Sequence, residues 1–183
     1  QNIEGLDRYG NTAIYATQVG VDASGMRVMS TGDLAIAQPD TGSLVLVDAV
    51  THGKTTVLSG MSFPNALEVD SRGYLFITEN VSSGRVRQVD VYTGEQWPVI
   101  ANLSSPNGVA LSPDENTLYV AETGNGGRIM AVDRLSDTEW DIPRVFYTPT
   151  SGSFYTIAVD ECGNLYIVNF SGGELYRVFA DGS

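Results

Sequence analysis

One cysteine (Cys162), one lysine (Lys54) and one histidine (His52) are all that the 183 residues hold of each type. A lone cysteine excludes an internal disulfide and a cysteine-based zinc cage. Ten basic residues stand against 22 acidic ones, a net charge of −12. That balance excludes a phosphate-tracking surface, so nucleic acid is not expected as a partner. It argues equally against an anionic membrane face. No apolar run approaches the roughly 18–20 residues of a spanning helix, and no membrane partner is expected. Helices are not expected either, because no stretch keeps apolar residues at i, i+3, i+4 and i+7 over roughly 11 positions. With no initiator Met and no signal-peptide pattern, Gln1 reads as a processed or cut end. The 42% of apolar residues is enough for a core, so the chain is not a disordered tail.

Internal repetition organises these residues. An apolar triplet follows a turn four times: Leu34-Ala35-Ile36, Leu75-Phe76-Ile77, Leu118-Tyr119-Val120 and Leu165-Tyr166-Ile167, with first residues 41, 43 and 47 positions apart. A second marker trails each triplet: Val47-Asp48, Val89-Asp90, Val132-Asp133 and Val178-Phe179. Each unit reads as four short strands. In the second, these are Ala66 to Val69, Tyr74 to Thr78, Arg85 to Val91 and Trp97 to Ile100. β-Branched and aromatic residues fill the strands, while Gly, Asn, Asp and Ser fill the gaps. Four strands repeating every roughly 40–45 residues mark a β-propeller blade. An irregular β-sandwich would not need a constant period.

Inner strands are expected near Met26, Ala66, Gly108 and Thr156, and outer strands near Ala13, Thr55, Trp97 and Arg144. Third strands number five, because the chain opens on one (Ile3 to Arg8) and closes on another (Glu174 to Phe179). The result is a single all-β propeller domain of about four and a half blades: 1–23 the end of a partial blade, 24–60, 61–103 and 104–150 complete blades, 151–183 a partial blade. A propeller hides its sheet edges by closing its ring. Two readings meet that demand: a slice of a larger, six-bladed ring, or a four-bladed ring closed by Ala13 to Gln18, which leaves one strand unexplained. The slice is the expectation, with a further chain or self-association completing the ring.

Ligands of a propeller meet the loops at the mouth of its channel. Counting back ten or eleven residues from each triplet reaches Ser24, Asn65, Asn107 and Tyr155, which should converge on one end of the channel. Two carboxamides there would offer hard oxygen ligands to Ca²⁺. Each Asn also follows a proline, Pro64 or Pro106, and from position alone a plain turn role is the favoured reading.

Ser105-Pro-Asn-Gly-Val-Ala-Leu-Ser-Pro-Asp-Glu-Asn-Thr-Leu-Tyr-Val-Ala-Glu-Thr123, followed by Arg128-Ile-Met-Ala-Val-Asp133, resembles the gluconolactonase/senescence-marker-protein family and its strictosidine synthase-like relatives. Phe63-Pro-Asn-Ala-Leu-Glu-Val-Asp70 and Ile157-Ala-Val-Asp-Glu-Cys-Gly-Asn-Leu-Tyr-Ile167 resemble the flanking blades, so the likeness spans residues 61–180. The resemblance implies a six-bladed, calcium-dependent propeller whose metal ligands are Glu, Asn, Asn and Asp from blades one, three, four and five. Asn65 and Asn107 match the two Asn positions, and Ser24 falls on the blade that gives no ligand. Tyr155 stands where the Asp is expected, and the blade-one Glu has no counterpart here, since Glu4 belongs to a third strand. The missing Asp also removes the general base or nucleophile of a family hydrolase, so no catalytic residue is assigned.

His52 sits in a polar turn, so no Ser/His/Asp triad is expected. Cys162 lies in the turn Glu161-Cys-Gly-Asn164 with no basic neighbour to activate it. Gly124-Asn-Gly-Gly127 shapes a hairpin and precedes no helix, so it does not cradle phosphate. Two functions remain. The complete ring is a metal-assisted lactone or ester hydrolase, with Asn65 and Asn107 as metal ligands; or it is a non-catalytic, NHL-like recognition module that binds a carbohydrate, peptide or protein, with Ser24 and Tyr155 at the ligand face. Tyr155 suits stacking more than metal chemistry. Scarce lysine and an acidic, Gly/Ser/Thr/Asn-rich surface lead to the expectation of a secreted or cell-surface protein.

Overall fold

The structure, a computed structural model, describes residues 2–6, 9–16 and 22–183. Seventeen strands and no helix occur among these residues. β1 (Ile3–Leu6) and β2 (Thr12–Ala16) form a two-stranded sheet. β3 (Met26–Val28), β4 (Leu34–Gln38), β5 (Ser43–Val47) and β6 (Lys54–Leu58) form the first four-stranded sheet. The second contains β7 (Pro64–Val69), β8 (Tyr74–Glu79), β9 (Gly84–Asp90) and β10 (Gln96–Leu103). The third contains β11 (Pro106–Leu111), β12 (Thr117–Glu122), β13 (Ile129–Asp133) and β14 (Arg144–Tyr147). β15 (Phe154–Val159), β16 (Leu165–Asn169) and β17 (Glu174–Val178) close the series as a three-stranded sheet. Each sheet is an antiparallel meander of sequence neighbours. β2 pairs with β1 alone and does not complete the β15–β17 sheet, so the four-bladed closure is not formed among the described residues.

The triplets belong to the second strand of each sheet, and burial explains why they do not alternate with polar residues. β4 is buried along its whole length, and β8 and β12 from their second residue on, because a neighbouring sheet covers each face. Leu75 and Ile77 of β8 pack back onto the β3–β6 sheet with Ala35, Ala37 and Leu44. Phe76, between them, packs forward with Val109, Leu118 and Val120. Tyr119 and Ala121 repeat the arrangement toward Phe154, Leu165 and Ile167. Ile3 carries the series back to β1, against Leu34, Ile36, Val45 and Val47. The later sheets approach most closely through their inner strands, β7 to β11 and β11 to β15, while β7 meets both β3 and β4 of the sheet before it. This fan of face-packed sheets is a β-propeller arc.

The inner strands β7, β11 and β15 begin two residues earlier than the sequence indicates. Pro64 pairs with Glu79, Pro106 with Glu122 and Phe154 with Asn169, each ahead of a register shift. A bulge therefore separates the mouth residues from the regular ladder and re-aims them.

At the opposite end of the arc, aspartates hold the turns. The backbone N–H of Ala49, then the Thr31 hydroxyl, lower the Asp33 carboxyl below its ordinary 3.8. The Thr51 N–H and hydroxyl do the same for Asp48, and the Asn164 side-chain amide and N–H for Asp160. A carboxylate with a depressed folded pKa stabilises the fold fully above its unfolded value and loses that contribution as pH falls through the folded one. The melting temperature is thus expected to hold from pH 7 to about 5 and to fall below about pH 4. Tryptophan fluorescence of thermal unfolding against pH checks this, and Asp160→Asn should flatten the acid limb.

Candidate functional site

Residues at the starts of all four inner strands line one cavity of about 220 Å³: Ser24, Asn65, Asn107 and Thr156, with Gly25, Ala66, Gly108 and Arg27. Three of the four mouth positions named from the sequence thus meet in the channel. The Asn65 and Asn107 backbones are fixed by neighbouring sheets: the Gly25 N–H donates to the Asn65 carbonyl at 2.7 Å, and the Thr78 hydroxyl donates to the Asn107 carbonyl at 2.9 Å. Their carboxamides hydrogen-bond to no other described residue and are left to the cavity. Each offers two donors and an acceptor.

Tyr155 departs from the group. Its neighbour Thr156 lines the cavity, whereas the Tyr155 ring stacks on Phe170, centroids 4.6 Å apart and planes at 30°. Both rings are solvent-accessible (39% and 68%), and together they form an aromatic shelf beside the mouth. His52 and Cys162 are exposed in turns, and Glu4 lies on β1, outside the cavity.

Sequence reasoning missed an ion pair in the channel. Arg27 lines both the upper cavity and a second one of about 300 Å³ beneath it, and Glu68 lines the lower. Their side chains meet through Nε–Oε1 and Nη2–Oε2 contacts of 3.3 Å each. Arg27, held by Glu68, floors the upper cavity. Its signal in the sequence is a charge three residues after Ser24 and three after Asn65.

The donor set does not amount to a calcium site. Ca²⁺ takes six to eight oxygens, and its affinity follows ligand charge. The upper cavity offers two neutral carboxamides, the hydroxyls of Ser24 and Thr156 and a guanidinium, and its described lining holds no carboxylate. Among the described residues no group of three or more His, Cys, Asp or Glu is placed to hold a metal.

Residues 98–183 match the SMP-30/Gluconolactonase/LRE-like region. Lactonase drp35 of Staphylococcus saprophyticus is 30% identical over 149 residues, 74% of this chain and 45% of that protein. A gluconolactonase from Xanthomonas campestris superposes with a TM-score of 0.84 at 20% identity, covering 100% of this chain and 67% of the other. Regucalcin from Agrobacterium tumefaciens, a calcium-binding protein, gives a TM-score of 0.77 at 22% identity over 96% of this chain and 62% of its own. The fold is thus that of an arc of the gluconolactonase-type propeller, and the chain is similar to the SMP-30/gluconolactonase/LRE-like family, whose pattern its residues 98–183 carry. It spans less than half of the curated relative and about two thirds of the solved propellers.

Proposed function

We propose that this chain is the ligand-binding arc of a lactone or ester hydrolase. The carrying observation is the pair of uncommitted carboxamides, Asn65 and Asn107, facing one channel cavity. A lactone presents a carbonyl and a ring oxygen as acceptors, which carboxamide N–H groups match. Ser24 and Thr156 add hydroxyls for polar substituents on the ring. An amide donor aimed at a carbonyl also stabilises the oxyanion that forms when water attacks, worth about 10²–10³ in rate for one donor. The described residues of the upper cavity include no carboxylate to take the proton from water, so their roles are binding, orientation and polarisation. The lactonase relative supports the hydrolase reading over that of an inert scaffold.

Hydrolysis of glucono-1,5-lactone, followed by pH-stat, is expected to fall about a hundredfold in Asn107→Ala. Unchanged kcat/KM in that variant would contradict the assignment. Calcium is expected to bind this chain with a Kd no tighter than about 10⁻³ M, given two neutral ligands. Calorimetric titration with CaCl₂ measures it, and micromolar binding would show that the carboxamides belong to a fuller metal site.

The exposed Tyr155–Phe170 pair favours a second role for the same mouth, recognition of a flat or ring-shaped ligand by stacking. Saturable lactone or sugar binding without turnover, lost in Tyr155→Ala, would select that role.

A further inference from the structure

The polar residue that closes each second strand is buried. Glu79, Glu122 and Asn169 are 1%, 0% and 2% exposed, although a strand end at a hairpin is an ordinary place for a solvated side chain. The two glutamates divide their oxygens in the same way. One oxygen of Glu79 accepts from Arg87 Nε at 2.6 Å and lies 3.2 Å from Arg85 Nε; the other accepts the backbone N–H of Ser62 at 2.8 Å. One oxygen of Glu122 accepts from Arg128 Nε at 2.7 Å; the other accepts the N–H of Ser104 at 2.6 Å. Ser62 and Ser104 each lie three residues before a channel asparagine.

The next residue in each loop has an unusual backbone. Phe63 has φ 53° and Ser105 has φ 54°, the left-handed region, and each precedes a proline. Neither residue type favours that region, and neither adopts it without support. The support is a clamp on both sides of the bend. Behind it stands the carboxylate; ahead of it, the N–H of Asn80 donates to the Phe63 carbonyl and the N–H of Thr123 to the Ser105 carbonyl, both at 3.0 Å.

The fourth sheet provides an internal comparison. There the latch is Asn169, one methylene shorter, and its Oδ1 accepts the N–H of Ser153 at 3.0 Å, one position nearer the strand than in the glutamate loops. Ser153 is not left-handed, and the mouth residue that follows, Tyr155, turns from the cavity onto Phe170. Latch length, backbone bend and the aim of the mouth side chain change together.

We propose that Glu79 and Glu122 are positioning residues: each buried carboxylate holds the loop ahead of an inner strand in a left-handed bend that aims Asn65 or Asn107 into the channel. That these asparagines meet the ligand is the reading given above; where they point can be measured without ligand or activity.

The test is ¹⁵N NMR of the side-chain amides of Asn65 and Asn107. Glu122→Asn installs the short latch that the fourth sheet already carries. Exchange of the Ser104 amide should accelerate at least tenfold, and the Asn107 side-chain resonances should move while those of Asn65 stay. Adding Ser105→Gly, which allows the bend without strain, should return the Asn107 signals toward their original positions. Glu122→Gln keeps the length and the acceptor for Ser104; its amide N–H₂ then replaces the oxygen that faced Arg128, whose partly exposed side chain can turn to solvent, so the Asn107 signals should stay in place. Glu79→Asn should move Asn65 alone. Faster Ser104 exchange with unmoved Asn107 signals would overturn the proposal, reducing Glu122 to a structural cap. So would Glu122→Gln displacing those signals as far as Glu122→Asn. If Glu122→Asn does not fold, the glutamine variant and Glu79→Asn decide by the same criteria.

Discussion

Gly108→Val is expected to destabilise the protein by about 3 kcal/mol or more, at the upper end of overpacking costs, lowering the melting temperature by roughly 6–12 °C for a chain of this size. Gly108 is a glycine for space, since its φ is not positive. A Cβ there would stand 2.8 Å from the Tyr155 carbonyl oxygen and the Ile157 nitrogen, and 2.9 Å from the Thr156 Cα. These are backbone atoms of the next inner strand and cannot rotate aside, so β11 and β15 would have to separate. Gly25 meets the same limit, 2.4 Å from the Asn65 carbonyl oxygen. Gly126 is the control. Its φ is 76°, and a Cβ meets nothing within 4 Å, so Gly126→Ala should cost only about 1 kcal/mol of backbone strain. Thermal melts of the three proteins check the ranking, and equal losses at 108 and 126 would contradict the close approach of inner strands.

Arg134→Ala carries the second large effect, about 3–5 kcal/mol, the cost of removing one partner of a buried ion pair. Arg134 Nη2 lies 2.9 Å from Asp70 Oδ2, with the side chains 3% and 0% exposed. Arg134 Nε donates to the Glu115 carbonyl at 3.1 Å, and the guanidinium lies 4.6 Å from the Trp140 ring centroid. Trp140 in turn meets Phe76 edge-on at 5.5 Å and donates its Nε1–H to Gln88 at 2.9 Å. The cluster bolts the β11–β14 sheet to the β7–β10 sheet. Asp70→Ala should cost a similar amount, because it leaves the Arg134 charge buried without its carboxylate. The double variant Arg134→Met/Asp70→Asn should recover part of the loss, because the desolvation of both charges disappears with their attraction while a carboxamide oxygen can still accept the Arg72 and Tyr74 N–H groups that Asp70 Oδ1 holds. Urea midpoints of the three variants measure this. A double variant as weak as the sum of the singles would contradict the coupling.

The arc was legible in the sequence because its logic is local. A second strand covered on both faces must be apolar at successive positions, so Leu75-Phe76-Ile77 and its three copies announced themselves, and the strands follow from their period. The mouth residues were legible for the same reason, as fixed offsets from those triplets. Long-range polar pairing was not legible. Asp70 and Arg134 lie 64 residues apart, and nothing in either neighbourhood names the other. The aim of Tyr155 was missed because it depends on Phe170, fifteen residues on. The latch was readable and overlooked: Gln38, Glu79, Glu122 and Asn169 each sit four residues after the first residue of a triplet, and a polar side chain at a constant place in an apolar repeat signals a buried partner.

The central claim is that Asn65 and Asn107, 42 positions apart in sequence, look into one channel. Cysteine pairs in a Cys162→Ser background test it most directly. Treatment of Asn65→Cys/Asn107→Cys with a short bifunctional maleimide should give an intramolecular bridge, visible by mass spectrometry. The pair Asn65→Cys/Tyr92→Cys, with Tyr92 in the turn between β9 and β10 at the far end of its sheet, should give none. Failure of the first pair to bridge, or equal bridging by both, would contradict the convergence on which the functional reading stands.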